Sequence, residues 1–289
     1  MALPRDLPVV DHHCHLSPSG EGIAAARRFR DSGGTHLFLA TQNYREEPPR
    51  SLATYAEQYA TTEELAHRVT EETGVVVYPI VAPYPIDLVH VARDLGLEGA
   101  VQLQFDALDL AGRWVREHRA VALGEVGLPH FEVPAEVRDA TDRVFDRALG
   151  IARESDCPAV VHCADLDRAG YADLAARADR AGLPRRRVVK HYARNRLPAA
   201  ERSDVTPSYL ARRELLREVL ADAGPWFLET DFLDDPKRPG AVLDLATVPR
   251  RAQALATTPE GAECLRVPFV RSVEQVYGLR LEVLPGGRP

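Results

Sequence analysis

The segment VVDHHCHLSPSG, residues 9–20, places three histidines and one cysteine at four consecutive positions. Its two β-branched valines favour a strand, and the Ser-Pro-Ser-Gly run at its end favours a turn. Strand side chains alternate between two faces, so His13 and His15 are expected to share one face with Asp11. Two imidazoles at this spacing can bind one metal ion, although the same pattern is equally compatible with hydrogen-bonded structural histidines.

Four more groups of metal-binding type lie at or near the ends of later apolar segments. The segments AVALGEVG, PAVVHC, RVVKHY and WFLETD carry Glu125, His162, His191 and Asp231. Alternation predicts that Leu123 and Glu125 share a face that lines the site. Four imidazoles and two carboxylates suit two divalent ions such as zinc, manganese or magnesium, with the glutamate between them. The sequence therefore predicts a shared metal site.

Short β-rich segments alternate with longer helical ones along the chain. After the first segment they lie at residues 35–40, 75–82, 120–127, 157–164, 187–194 and 225–231, with a weaker candidate at 204–209. Apolar strands separated by helices are typical of a parallel sheet covered on both faces. Eight strands predict an α/β fold, a (β/α)8 TIM barrel, as a single domain over residues 1–289, with its chemistry at the carboxyl ends of the strands.

Composition narrows the classes of partner and of compartment. The formal net charge of −7 over 289 residues argues against strong non-specific binding of nucleic acid. No apolar stretch approaches the ~20 residues of a membrane helix, so no membrane partner is expected. The four cysteines are widely separated and form no CxxC pair. Together with an N-terminal segment unlike a secretion signal, this predicts buried thiols in a reducing cytoplasm.

Basic residues follow several of the strands that carry the candidate ligands. A loop at 232–251 contains Lys237, Arg238, Arg250 and Arg251, and His130, Arg194 and Arg196 follow two other strands. One interpretation is a lid with a cationic rim that binds the phosphate or carboxylate of an anionic substrate. The other is a solvated surface loop. We predict His130, Arg194, Lys237 and Arg238 as substrate contacts.

The order of these motifs resembles the TatD-like metal-dependent hydrolases of the amidohydrolase superfamily. DHHCHL is similar to that family's opening D-x-H-C-H-L, and LGEVGL is similar to its I-G-E-I-G-L-D. The segments GGTHLFLA and ETDFLDDPKRPGAVLDLATVPRR resemble an archaeal-type, TatD-related branch. Three features depart from the bacterial pattern at positions expected to face the substrate: Pro129-His130 after Leu128, Tyr192 in place of a cysteine, and the long loop after the last strand.

The resemblance implies a role for each candidate ligand. His13, His15 and Asp231 would bind one ion, His162 and His191 would bind the second, and Glu125 would bridge the two. Asp231 would also accept a proton from the attacking water and pass it to the leaving group. Among the residues beside the candidate ligands, Asp11 and Glu229 are expected to support a ligand. His12 and Lys190 are expected to face outward as packing or solvated groups.

Three functions are compatible with these residues. The first is a hydrolase that acts on phosphodiester bonds of a small-molecule or nucleic-acid-derived anionic substrate. The second is an amide or ester hydrolase that uses the same site, because the same activated water attacks a carbonyl carbon. The third is a non-catalytic metal-binding scaffold, against which the retention of Asp231 argues. The oligomeric state is left open.

Overall fold

The computed structural model describes residues 3–220, 222 and 224–283. This part of the chain contains nine strands: β1 (Val10–His15), β2 (His36–Ala40), β3 (Val76–Val81), β4 (Ala122–Gly127), β5 (Ala159–His162), β6 (Val188–Ala193), β7 (Thr206–Leu210), β8 (Phe227–Glu229) and β9 (Phe232–Leu233). Its helices are α1 (Ile23–Asp31), α2 (Leu52–Thr73), α3 (Asp87–Arg116), α4 (Ala135–Glu154), α5 (Arg168–Ala181), α6 (Arg213–Val219), α7 (Thr247–Leu255), α8 (Pro259–Cys264) and α9 (Ser272–Tyr277).

The eight predicted strands are all present, and the weak candidate at 204–209 corresponds to β7. The predicted loop at 232–251 includes β9 and the first turn of α7. Within the described residues, no helix combines the length and the apolar character needed to cross a bilayer.

The strands form one parallel sheet in the order β8-β7-β6-β5-β4-β3-β2-β1-β9. Its two end strands are consecutive in the chain and are separated only by Thr230 and Asp231. β8 pairs with β7, whereas β9 pairs with β1, and the amide of Asp231 donates to the carbonyl of His13 over 3.0 Å. The two edges of the sheet therefore meet at one broken strand, which produces a curled, TIM-barrel-like α/β fold.

Alternate residues of the strands pack on opposite faces of the sheet. One cluster takes residues from six successive strands: Val10, Phe38, Ile80, Ala122, Val160 and Val189. Their neighbours along the strands pack with helices α1 to α5 in two other clusters: Leu37, Val81, Leu123, Val161 and Val188. Because these helices cover the outer face, the first set marks the inner face of the sheet.

The paired strands of the described part of the chain contain three irregularities of register, of which the one in β6 lies between Lys190 and Ala193 and the other two, in β1 and β4, change which side chains point inward. Between Asp11 and Cys14, β1 advances three residues while β2 advances two, and between Gly124 and Val126, β4 advances two residues while β5 advances one. A bulge shifts the alternation of side chains by one position. The prediction that Leu123 and Glu125 share a face was therefore wrong, since Leu123 packs against the outer helices.

The same shift explains why His12 lies inside rather than facing outward as predicted. Its ring stacks on Phe227 with centroids 4.0 Å apart, and its two nitrogens lie 3.1 Å from the Ser208 hydroxyl and 2.7 Å from the Tyr277 hydroxyl. Both ring nitrogens thus have hydrogen-bond partners, so His12 is a packed structural histidine. Lys190 is buried, which agrees with the packing alternative of its prediction and not with the solvated one.

Candidate metal centre

The HxH pair of β1 meets two carboxylates at the carboxyl end of the sheet. The Nε2 atoms of His13 and His15 are 3.2 Å apart. Oε1 of Glu125 lies 2.9 Å from the first and 3.0 Å from the second, and Oδ1 of Asp231 lies 3.8 and 3.7 Å from them. These four residues form one group of donor atoms that could hold a cation.

The second carboxylate oxygen of Glu125 faces a second pair of imidazoles. Oε2 lies 2.9 Å from Nδ1 of His162 and 3.5 Å from Nε2 of His191, and these two nitrogens are 3.2 Å apart. This is a second group that could hold a cation. Glu125 therefore contributes one oxygen to each group, as a bridging ligand would.

The spacing and the orientation of these donors fit metal binding. Ligand atoms around tetrahedral zinc, at Zn–N distances of about 2.0–2.1 Å, lie ~3.3 Å apart, which is close to both nitrogen pairs. Nδ1 of His15 lies 3.2 Å from the carbonyl of Ala40, so in the neutral ring Nδ1 carries the hydrogen and Nε2 directs a lone pair into the site. Facing lone pairs repel each other unless a cation lies between them, so the residues present fit divalent cations.

Burial and mutual charge set the protonation of the site. Burial raises the pKa of Glu125, but the charge of His191 and hydrogen bonds with neighbouring imidazoles outweigh it and hold that pKa well below its usual range. Burial lowers the pKa of both His13 and His191. Burial also lowers the pKa of His15, but its bond to Glu125 and the charges of Glu125 and Asp231 together outweigh this and raise the pKa overall. A bridging carboxylate among mostly neutral imidazoles is the form that binds metal.

Asp231 occupies the break between β8 and β9. Its backbone φ of 49° lies in the left-handed region, which aspartate adopts more readily than most non-glycine residues. The bond from its amide to the carbonyl of His13 holds this conformation beside the HxH pair. Burial raises the pKa of its carboxyl group, which makes Asp231 a better proton acceptor than an exposed aspartate.

Two buried carboxyl groups form hydrogen bonds with the segments that carry the candidate ligands. Asp11 accepts hydrogen bonds from the amide of His13 at 3.2 Å, the amide of Thr230 at 3.1 Å and the hydroxyl of Thr230 at 2.6 Å. Glu229 accepts from the amide of Tyr192 at 2.6 Å and lies 3.5 Å from Nδ1 of His191. Each carboxyl group therefore ties together two segments that carry candidate ligands, although Glu229 is also close enough to form an alternative donor group with His13 and His191.

The predicted substrate contacts divide into two groups. Arg238 lines the cavity of the site, and Nδ1 of His130 lies 2.9 Å from Nε2 of His162. The structure does not bring Lys237 or Arg194 to this cavity. The Lys237 amine pairs with Glu46 at 2.7 Å on the surface, and Arg194 pairs with Asp165 at 2.6 Å.

Sequence reasoning missed several residues of the cavity, which has a volume of about 300 Å³. Its lining beyond the candidate ligands includes Thr41, Gln42, Asn43, Tyr84 and Asp87. All five follow the carboxyl ends of β2 or β3, so the rule that placed the ligands at strand ends could have found them. These two strands carry no histidine or carboxylate at their last position. The five residues were therefore not predicted, because the prediction considered only side chains of metal-binding type.

Asp234 joins the two loops that border the metal centre. Its carboxylate accepts from the amides of Ser17 at 2.9 Å, Glu21 at 2.7 Å and Gly22 at 2.8 Å, while its own amide donates to the carbonyl of His15 at 3.1 Å. One buried side chain thus satisfies three amides of the loop after β1 and holds the loop after β9 against it.

We expect Asp234→Ala to lower the free energy of unfolding by about 2–4 kcal/mol, because hydrogen bonds to a charged group are lost and buried amides are left without partners. Gly20→Ala should act in the same direction, since a Cβ there would lie 2.1 Å from Oδ1 of Asp234. Urea denaturation measures both. The matched control is Asp235→Ala, whose carboxylate bonds the loop residues Lys237 and Arg238 and should matter by less than about 1 kcal/mol. Equal losses for Asp234→Ala and Asp235→Ala would contradict this role.

The pKa of Asp87 is raised to about 7 by burial, against which the hydrogen bond from Tyr55 acts only partly. Because the folded pKa lies above the unfolded value, this group stabilises the fold fully below pH ~4, and its contribution is lost as the pH rises to about 7. Asp87→Asn should therefore be more stable than wild type by about 4 kcal/mol at pH 8 and by only about 1 kcal/mol at pH 4.5. Urea unfolding of metal-free protein at both values tests this, with the exposed Asp94→Asn as control. A difference that does not change with pH would count against it.

Comparison with known proteins agrees with this geometry. A model of the TatD-related DNase family matches residues 10–275. An uncharacterized protein of Methanocaldococcus jannaschii is 27% identical over 294 residues, covering 98% of this chain and 100% of that protein. The TatD-like protein of Archaeoglobus fulgidus aligns with a TM-score of 0.62 at 14% identity, over 93% of this chain and all of that one.

Other solved structures share the fold. The phosphotriesterase homology protein of Escherichia coli, solved with phosphate in its active site, aligns with a TM-score of 0.57 at 13% identity, over 95% of this chain and 99% of that one. At these identities the solved structures establish the fold alone. The family match spans β1 to α9 and includes every candidate ligand. The chain belongs to the TatD-related DNase family of metal-dependent hydrolases.

Proposed function

We propose that this protein hydrolyses phosphodiester bonds with water activated by two divalent cations. The observation that carries the proposal is the position of Glu125, whose two carboxylate oxygens face two separate pairs of imidazoles. In this proposal His13, His15 and Asp231 hold one cation, and His162 and His191 hold the other. Cations bound there would supply Lewis acidity and make water a nucleophile near neutral pH.

The side chains of the chain itself divide the remaining work. Asp231 accepts the proton of the attacking water and returns it to the oxygen of the leaving group, for which its raised pKa is suited. Asp11 and Glu229 keep the ligand-bearing segments in position through their backbone hydrogen bonds. Arg238 lies in the cavity wall while its Nε pairs with Asp235 over 2.8 Å, and its guanidinium group suits an anionic substrate.

An anionic phosphorus substrate is favoured over an amide or a neutral ester. Arg238 is the support within this chain, and the phosphate in the active site of the Escherichia coli phosphotriesterase homology protein is an analogy of fold. We also propose that residues 232–251 act as a lid, since Leu233, Arg238 and Val242 from this segment line the cavity. The substrate would be a small or nucleic-acid-derived anion.

A substrate panel tests the proposal. Purified protein is supplied in turn with zinc, manganese or magnesium and incubated with bis(p-nitrophenyl) phosphate, single-stranded DNA, p-nitrophenyl acetate and a series of cyclic amides. Hydrolysis of the phosphodiesters that depends on added metal is the expected result. If only amides or carboxylic esters are hydrolysed, the proposal of phosphodiester hydrolysis is wrong and the protein is an amide or ester hydrolase. Full metal occupancy without turnover of any compound would favour a non-catalytic metal-binding protein.

A further inference from the structure

The cavity beside the metal centre has a polar wall that the proposed chemistry does not use. Its volume of about 300 Å³ is bordered by the candidate ligands, by Arg238 and by polar residues from the ends of β2 and β3. Among the wall residues that are not ligands, Asp87 is the carboxylic acid. It begins α3, immediately after the segment that carries Tyr84 into the same cavity.

Asp87 is held in place by a network that leaves it without a cationic partner. The Tyr55 hydroxyl donates to Oδ2 of Asp87 over 3.2 Å and accepts from Nε2 of Gln104 over 3.2 Å. Nε2 of Gln104 also lies 3.3 Å from the carbonyl oxygen of Tyr84. No lysine, arginine or histidine among residues 3–220, 222 and 224–283 forms an ion pair with Asp87, although the residue is only 7% exposed.

A structural role alone does not account for this carboxyl group. Burial of an ionisable group without a cation is unfavourable, and burial raises the pKa of Asp87 to about 7. A neutral asparagine could accept the bonds from the Tyr55 hydroxyl and the Tyr84 backbone without that disadvantage. Groups that reduce stability persist where they serve a function, and active sites are where they concentrate. Asp87 belongs to neither group of donors that meets at Glu125, so a part in metal binding does not explain it.

We propose that Asp87 is a specificity-determining residue that accepts a hydrogen bond from a hydroxyl or amino group of the substrate. The inference rests on the proposed function, in which the metal centre binds the phosphoryl group and the cavity holds the remainder of the molecule. A space of this size accommodates one sugar, polyol or nucleoside unit. The substrate class is therefore a phosphate ester of a hydroxylated or amino-bearing small molecule, and esters of simple alcohols should bind less well.

Binding of two phosphate monoesters tests this without relying on turnover. Methyl phosphate carries no hydroxyl group, whereas glycerol 3-phosphate carries two. At pH 8, above the pKa of Asp87, isothermal titration of manganese-loaded wild type should give a Kd for glycerol 3-phosphate about tenfold or more below that for methyl phosphate, since a hydrogen bond to a charged group contributes at least this factor. Asp87→Ala should bring the two constants within about threefold of each other by weakening only the binding of glycerol 3-phosphate.

Further variants separate recognition from folding. Asp87→Asn retains an acceptor oxygen and should restore part of the preference, whereas Asp94→Ala removes an exposed carboxylate of the same helix and should retain all of it. Manganese content and melting temperature confirm that each variant is folded and loaded. A preference that persists in Asp87→Ala, or that wild type lacks, overturns the inference.

The two proposals fail in different ways. If wild type prefers glycerol 3-phosphate through Asp87 but hydrolyses no phosphodiester, the proposed reaction is wrong and the recognition by Asp87 stands. If phosphodiesters are hydrolysed and Asp87→Ala changes neither binding constant, the reaction stands and the recognition is wrong.

Discussion

Asp231→Asn is expected to lower kcat on a phosphodiester by about 10²–10⁴-fold while the metal content stays near that of wild type. An asparagine fits the same backbone position and retains one oxygen toward the HxH pair, but it cannot accept the proton of the attacking water. In wild type, Oδ1 of Asp231 lies 3.7–3.8 Å from the Nε2 atoms of His13 and His15, farther than Oε1 of Glu125 does. Replacing the Asp231 carboxylate should therefore weaken metal binding less than replacing that of Glu125.

Steady-state kinetics together with elemental analysis of the same sample measures both quantities. The matched control is Asp94→Asn, which removes an exposed carboxylate of α3 and should leave kcat within about twofold of wild type. Asp231→Asn protein that turns over at the rate of wild type would exclude Asp231 as the general base. A variant that loses its metal would reassign Asp231 as an essential ligand.

Glu125→Gln is expected to have the largest effect on the metal centre itself. Glu125 is the carboxylate shared by both groups of donors, and an amide offers one weak oxygen donor and one NH2 group that cannot bind a cation. Metal content should fall to less than half of that of wild type, and kcat should fall by more than about 10³-fold.

Elemental analysis after dialysis against a weak chelator gives the metal content, and the melting temperature with and without manganese gives an independent measure. Manganese should raise the melting temperature of wild type, because a ligand that binds only the folded state stabilises that state. It should raise the melting temperature of Glu125→Gln only a little. Glu98→Gln on the surface of α3 is the control and should respond as wild type does. Full metal retention by Glu125→Gln would contradict a bridging role.

The positions of the ligands along the chain were predictable because the carboxyl ends of parallel strands converge. His162 and His191 follow simple alternation from Val160 and Val189, and the structure brings them to the predicted place. That rule needs only strand direction and does not depend on detailed packing.

The facing of side chains in β1 and β4 was not predictable by alternation. Each strand contains a bulge just before or at its ligand, and a bulge depends on the hydrogen-bond register with a neighbouring strand. Strict alternation therefore placed Leu123 on the same face as Glu125, and it placed His12 on the outer face. Both assignments were wrong. Alternation did hold from His13 to His15, since both histidines face the site and Cys14 between them packs in an outer cluster.

The rim of the cavity was the least predictable part, because long side chains choose partners across loops. Lys237 and Arg194 form ion pairs with surface carboxylates and do not reach the cavity, and nothing in their local sequence identifies those partners. Arg238, one residue further along the loop from Lys237, does reach the cavity wall. Residues after β2 and β3, Asp87 above all, were within reach of the strand-end rule.

Anomalous diffraction from a crystal soaked in manganese tests the metal centre most directly. Two peaks are expected within one site, one among His13, His15, Glu125 and Asp231 and the other among Glu125, His162 and His191. Their separation should be ~3.5–4 Å, with Glu125 between them. Crystals in which manganese binds elsewhere, or in which these side chains remain free of it at saturating concentration, would contradict the proposed centre.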